Sequence, residues 1–273
     1  MARKNTFLPA VLSISILFLV MPSTTTAQPL DNTLDNLAQD LANPVAELIS
    51  VPLQFNFDDN IGPDDKGSRL TLNIQPVIPV ELNDEWNIIS RTILPVIKQK
   101  DVYPGAGSKS GLGDTVQSLF FSPRPGPSGL IWGVGPVFLL PTATDDELGL
   151  DQWGAGPTGV ILKQTGLWTF GGLANHIESF TGSGDNDISA TFLNPFISRV
   201  FDGGWTLGLQ AEHTLEHENN HDSGSASVFI SKIVPLNGQL VSFGLVPRYW
   251  YKHSANSPEG FSLRMTMVFL FPR

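Results

Sequence analysis

His217-Glu-Asn-Asn-His221 has the spacing of the zinc-binding H-E-x-x-H motif, in which two histidines hold the metal and the glutamate acts as general base. That chemistry needs a helix, because only a 3.6-residue period brings both imidazoles to one face a turn apart. His213 extends the spacing, and Gln210–Glu218 has fair helix propensity. Against this, Asn219-Asn220 interrupts the segment and Asp222-Ser-Gly-Ser225 follows at once. The nearby apolar residues Leu207, Leu209, Ala211 and Leu215 recur with period two. The motif therefore reads as the tip of a loop. No catalytic residue and no cofactor are expected, and metal binding is limited to adventitious capture by loop residues His217, His221, Asp145 and Asp146.

Bulk features narrow the class. Arg3-Lys4, an apolar stretch from Phe7 to Met21 and the small residues before Gln28 read as a signal peptide over residues 1–27. The chain has no cysteine, so an exported domain must be held by backbone pairing and packing. Sixteen basic against 26 acidic residues argue against a nucleic-acid partner. After the leader, no apolar run is long enough for a transmembrane helix.

The elements that must carry any site are strands. Leu34, Leu37, Ala38 and Leu41 give one short helical pattern, ended by Pro44. From Ile49 the period is two, as in Phe261, Leu263, Met265, Met267, Phe269 and Phe271 against Ser262, Arg264 and Thr266. Twelve such segments fall near 49–57, 68–80, 86–97, 112–122, 130–141, 153–163, 168–179, 189–200, 205–216, 226–235, 241–252 and 261–271. Their connections alternate. Those at Glu81–Glu85, Arg124–Gly129, Gln164–Leu167, Asp202–Gly204 and Leu236–Leu240 are short, and the intervening ones are longer and turn-rich. Short periplasmic turns and long external loops are the rule in outer-membrane barrels. Trp86, Trp132, Trp168 and Trp205 gather at the short-turn edge, and Trp153, Phe180, Tyr249, Trp250 and Tyr251 at the other, as two interfacial girdles. The expected fold is all-β: a transmembrane antiparallel up-and-down barrel of about 12 strands over 49–273. Residues 28–48 precede it as a helical or extended periplasmic segment or plug. Prolines within the segments (Pro76, Pro95, Pro136, Pro195) argue the other way, since each removes a ladder donor.

Several stretches carry a resemblance: Asn43-Pro-Val-Ala-Glu-Leu-Ile-Ser50, Leu72-Asn-Ile-Gln-Pro-Val-Ile-Pro79, Arg91-Thr-Ile-Leu-Pro-Val-Ile97, Gly111-Leu-Gly-Asp114, Trp132-Gly-Val-Gly-Pro136, Leu140-Pro-Thr-Ala-Thr-Asp145 and Trp153-Gly-Ala-Gly-Pro157. In these the chain resembles bacterial outer-membrane proteins grouped with the MetA-pathway phenol-degradation family, relatives of which carry the labels "transporter" or "neuromedin U". The resemblance implies an outer-membrane barrel that moves small, often aromatic, compounds, and supplies no catalytic residues.

With apolar residues facing lipid, the opposite face looks into the lumen. That face collects Asn73, Gln75, Arg91, Gln210, Glu212, Arg248 and Arg264. Three arginines beside one carboxylate form either a constriction selecting anionic or polar solutes or a set of paired charges bracing the wall. Acidic loops with Asp58, Asp59, Asp64, Asp65, Asp145, Asp146 and Glu147 are either solvated surface or weak divalent-cation sites. The expected partners are outer-membrane lipid, lipopolysaccharide and a small-molecule solute. A closed structural or adhesive barrel is the alternative function, and a membrane-embedded hydrolase using His176 or His213 is a remote one.

Overall fold

The computed structural model describes residues 28–126, 128–184, 187–218, 222–254 and 257–272. The signal-peptide stretch 1–27 and His221 lie outside them. Helix α1 (Gln28–Leu41) leads into fourteen strands: β1 (Ile49–Ile61), β2 (Gly67–Ile74), β3 (Val77–Glu81), β4 (Trp86–Lys100), β5 (Ser108–Leu112), β6 (Thr115–Pro123), β7 (Leu130–Leu140), β8 (Gln152–Thr165), β9 (Trp168–Gly182), β10 (Ser189–Phe201), β11 (Trp205–Glu216), β12 (Ser223–Leu236), β13 (Gln239–Lys252) and β14 (Gly260–Phe271). β2 with β3 and β5 with β6 each make one interrupted stave, so the sheet is a closed antiparallel barrel of twelve. Closure is by β1 on β14, from Ile49 opposite Phe271 to Phe57 opposite Leu263. Because every edge is paired, the barrel has no exposed ladder to aggregate through.

Alternation along β14 assigns the faces. Phe261, Met265 and Phe271 are exposed on the outside, while Arg264, Val268 and Leu270 are buried on the inside. Around the exterior, Leu207, Leu209, Val228, Ile230, Phe243 and Leu245 are likewise exposed. In water such a band would be costly; in hydrocarbon it is the favoured surface.

The prolines fall where the ladder lapses. Pro76 sits at the break between β2 and β3, and Pro95 accepts from Gly113 N at 2.9 Å, at the break between β5 and β6. Pro136, Pro157, Pro195 and Pro247 each lie in a gap of the pairing on one side, towards β6, β9, β11 and β12 respectively. A missing donor there costs no ladder hydrogen bond, which reconciles proline with a membrane strand.

The N-terminal segment packs on the lumen face at the short-turn end. Leu34, Leu37, Ala38, Ala46 and Leu48 are buried in one cluster with Val200, Ile233, Val268 and Leu270, the last two on the Arg264 face of β14. Val45 enters a second cluster with Ile89, Phe120, Ile131, Val160, Leu162 and Leu173. Polar ties fix the helix to two turns: Gly204 N donates to Asp35 Oδ1 at 2.7 Å, and Gln39 Nε2 to the Gly166 carbonyl at 2.7 Å.

Candidate functional site

Above that seal the lumen carries a belt of charge. Asn56, Asp58 (β1), Arg69 (β2), Arg91 (β4), Glu212 (β11), Arg248 (β13) and Arg264 (β14) all project inward, because each has the parity of the polar face of its strand. Arg264 forks onto Glu212 with Nη1–Oε1 2.7 Å and Nη2–Oε2 2.9 Å, and its Nε donates to Asn56 Oδ1 at 2.6 Å. Arg248 pairs with Asp58, donates to Ser262 Oγ at 2.9 Å, and lies 3.8 Å from the second oxygen of Glu212. Glu212 is three strands from Arg264. The guanidiniums reach it because β12 presents only Ser225 and Ser227 inward between them. Bidentate, charge-assisted contacts of this kind are the strong ones, and they offset the cost of placing charge in a narrow lumen.

A second arc is neutral. Arg91 Nη2 donates to Gln75 Oε1 at 3.0 Å, and Gln75 Nε2 and Asn73 Nδ2 both donate to Gln54 Oε1, at 3.0 and 3.3 Å. Arg69 donates to Gln99 at 3.0 Å. Among the described residues Arg91 has no ion pair, although it lies close enough to Glu212 and Arg264 to interact electrostatically with both. Between this arc and the N-terminal segment is a cavity of about 270 Å³, lined by Gln75, Arg91, Asn194, Phe196, Gln210 and Phe229 among others. One guanidinium without a contact ion pair, the Asp40 carboxylate, the side-chain amides of Asn43, Gln75, Asn194 and Gln210, and two phenyl rings therefore face the same space.

All six lumen residues singled out from the sequence (Gln75, Arg91, Gln210, Glu212, Arg248, Arg264) face the interior. The charge balance does not match the expectation of three arginines and one carboxylate. Asp58, read as part of an external loop, belongs to β1, is 7% exposed and pairs with Arg248. The strand runs on to Ile61, beyond the last apolar residue of its period at Phe57, so alternation failed to mark its end. Arg69, which is not among the residues expected in the lumen, shares parity with Thr71 and Asn73 and joins them there. Trp250, assigned to the outer girdle, points inward: its indole donates to Asp58 and Ser262 at 3.2 Å and stacks on Arg248 at 4.6 Å. Three successive aromatics cannot share one face of a strand, so Tyr249 and Tyr251 face out and Trp250 cannot.

The metal candidates are dispersed. Residues 205–216 are strand, not helix, and His217 follows in a turn. His217 and His176 both bond the Thr191 hydroxyl at 2.9 Å on the outer face, whereas Asp145 pairs with Lys109 at 3.0 Å in the β7–β8 loop. Among the described residues no group of three or more His, Asp or Glu is assembled to hold an ion, Asp146 included. His213 stacks on Tyr251, with Nδ1 3.0 Å from its hydroxyl.

The long-loop clasp between Lys109 and Asp145 carries a pH dependence. The Lys109 ammonium and the Glu147 backbone N–H both hydrogen-bond the Asp145 carboxylate, which holds it below its ordinary range. A depressed carboxyl contributes order that is fully present above its ordinary value and lost as pH falls through the depressed one. Protease nicking of the Pro141–Asp151 loop is thus expected to accelerate only in strong acid, and Asp145→Asn should show the fast rate at neutral pH. An unchanged rate in that variant would mean that the clasp does not order the loop.

A closed antiparallel barrel with an apolar exterior and two aromatic edges fits one environment. It is an outer-membrane barrel. The chain superposes on the COG4313 outer membrane channel from Pseudomonas putida F1 with a TM-score of 0.64 at 15% identity, over 82% of this chain and 94% of that one. Fainter likenesses, which carry no argument, are to the β domain of the Bordetella autotransporter BrkA (TM-score 0.46, 12% identity, 82% of this chain and 99% of that one) and to LpxR from Salmonella typhimurium (0.44, 9%, 81% and 100%). No protein-family profile matches the chain, and no curated protein does. The barrel thus shares the fold of the COG4313 outer membrane channel, and the phenol-degradation grouping is not among the matches.

Proposed function

We propose that this outer-membrane barrel is a narrow channel for small amphipathic anions, aromatic carboxylates or phenolates being the chemistry that suits it. The observation that carries the reading is Arg91. It is half-buried in the wall with no carboxylate in contact, and it faces a cavity that also holds Phe196 and Phe229, with Asp40 of the N-terminal segment lining the same space. A guanidinium binds a carboxylate bidentately, and phenyl walls take the ring of an aromatic solute. The resemblance to proteins of aromatic-compound degradation agrees with this solute class. Glu212 and Asp58 already neutralise Arg248 and Arg264, which serve as bracing. Selection then falls to Arg91, with Gln75 and Gln210 as neutral hydrogen-bonding groups beside it.

The test is conductance of the refolded protein in a planar bilayer, with reversal potential taken in a chloride gradient and again after adding benzoate. The expected result is anion preference, with benzoate reducing the chloride current; Arg91→Gln should lose both. Cation preference, or an Arg91→Gln variant identical to the parent, would remove the reading. A second reading, a closed structural barrel, is favoured by the packing of α1 in the mouth, and complete silence from folded protein would select it.

A further inference from the structure

The exterior at the short-turn end is not uniformly apolar. Lys163 on β8, Arg199 on β10 and Lys232 on β12 face outward, with aromatics of the intervening strands between them. Trp168 on β9 is the register partner of Arg199, and Trp205 on β11 that of Lys232. The Arg199 guanidinium lies 5.4 Å from the Trp168 ring centre and 5.0 Å from that of Phe201, and the Lys232 ammonium lies 4.7 Å from Trp205. Lys163 lies one outward row nearer the membrane centre, opposite Phe170. Trp168, Phe201 and Trp205 are themselves exposed to the surrounding medium.

None of the three cations makes an ion pair among the described residues, although Asp202 is in the adjoining turn. The contrast with Arg124, which pairs with Glu81 at 2.6 Å at the same end of the barrel, shows that carboxylates are used there where neutralisation by the protein is required. Cations held flat on aromatic rings at headgroup depth keep their charge available to the lipid side.

We infer that the β8–β12 strip is a binding site for the phosphate headgroups of anionic phospholipid in the periplasmic leaflet. Arg199 and Lys232 contact phosphate, while Trp168 and Trp205 fix the two cations and meet the acyl-glycerol boundary. Lys163 reaches outward to the same headgroup layer from one row deeper. The inference rests on the outer-membrane fold and is independent of whether the lumen conducts.

The experiment is native mass spectrometry of the refolded full chain in detergent, titrated separately with phosphatidylglycerol and phosphatidylcholine. The wild type should retain phosphatidylglycerol in preference to phosphatidylcholine. At about fivefold per lost cation near a surface, Arg199→Ala with Lys232→Ala should bind phosphatidylglycerol roughly 30-fold more weakly. Lys98→Ala with Lys100→Ala removes the same charge from the outward face at the long-loop end of β4 and should bind as the parent does. Should the first double variant fail to fold, as judged by heat-modifiable gel migration, the single Arg199→Gln change is expected to weaken binding roughly fivefold. Equal retention of the two lipids by the wild type, equal weakening in both double variants, or undiminished binding after loss of Arg199 would each overturn the site.

Discussion

Replacing Glu212 by alanine is expected to destabilise the barrel by about 3 kcal/mol, the lower end of the range for removing one partner of a buried pair. The lower end applies because the Glu212 side chain keeps 23% of its exposure, whereas Arg264 and Arg248 keep 7% and 4%. Arg248 would retain Asp58, but Arg264 would retain only the neutral Asn56. Its guanidinium, drawn out of water to meet a fork of two oxygens, would face a void bounded by serines. Denaturant unfolding of refolded protein, followed by loss of the compact gel form, checks this. Gln210→Ala, one inward position away on the same strand, should shift the midpoint by much less. Equal shifts for the two variants would show that the belt is solvated enough for its pairing to be dispensable.

The second large effect concerns the mouth. Deleting residues 28–48 removes Leu34, Leu37, Ala38, Ala46 and Leu48 from contact with Val200, Ile233, Val268 and Leu270. The ladder does not run through this segment, so the barrel should still close. The loss is apolar burial, on the order of 1.5–3 kcal/mol for each large side chain left facing water. Conductance should rise well above that of the parent, because the cavity floor then opens directly to the short-turn side. A gentler variant, Asp35→Ala with Gln39→Ala, cuts the ties to Gly204 and Gly166 and leaves the apolar contacts, so brief openings to the deletion's conductance level are expected. If the deletion leaves conductance unchanged, the narrowest point is the arginine belt and the segment is only a brace.

How far the sequence discloses this molecule depends on the range of the interaction. Period-two alternation is local, and it places β11, β13 and β14 and the inward orientation of Arg91, Gln210, Glu212, Arg248 and Arg264. The same rule places Arg69 inside with Thr71 and Asn73, and Trp250 inside between the outward Tyr249 and Tyr251. Asp58 is a different failure. Its strand outlasts its apolar residues, and nothing within a few positions distinguishes an aspartate in a loop from one awaiting Arg248 on β13. The Glu212–Arg264 fork is farther still from view, since it depends on which strands curve to within reach and on two serines of β12 leaving room. Residues 28–48 advertise an amphipathic helix, but the surface that receives it is assembled from the ends of β10, β12 and β14.

The one-sided ladder gaps at Pro136, Pro157, Pro195 and Pro247 have a consequence for assembly. Most side chains tolerate a strand sliding past its neighbour, since lipid accepts any apolar residue and the ladder re-forms after each step of two residues. A proline does not: moved out of its gap, it faces a carbonyl with no hydrogen to give, in a solvent that supplies none. Each such residue penalises every registration of its strand but the native one. The prolines therefore act as proofreading marks, and substituting alanine at Pro195 and Pro247 together should leave the finished barrel intact while increasing the fraction of misregistered, heat-labile product formed during refolding.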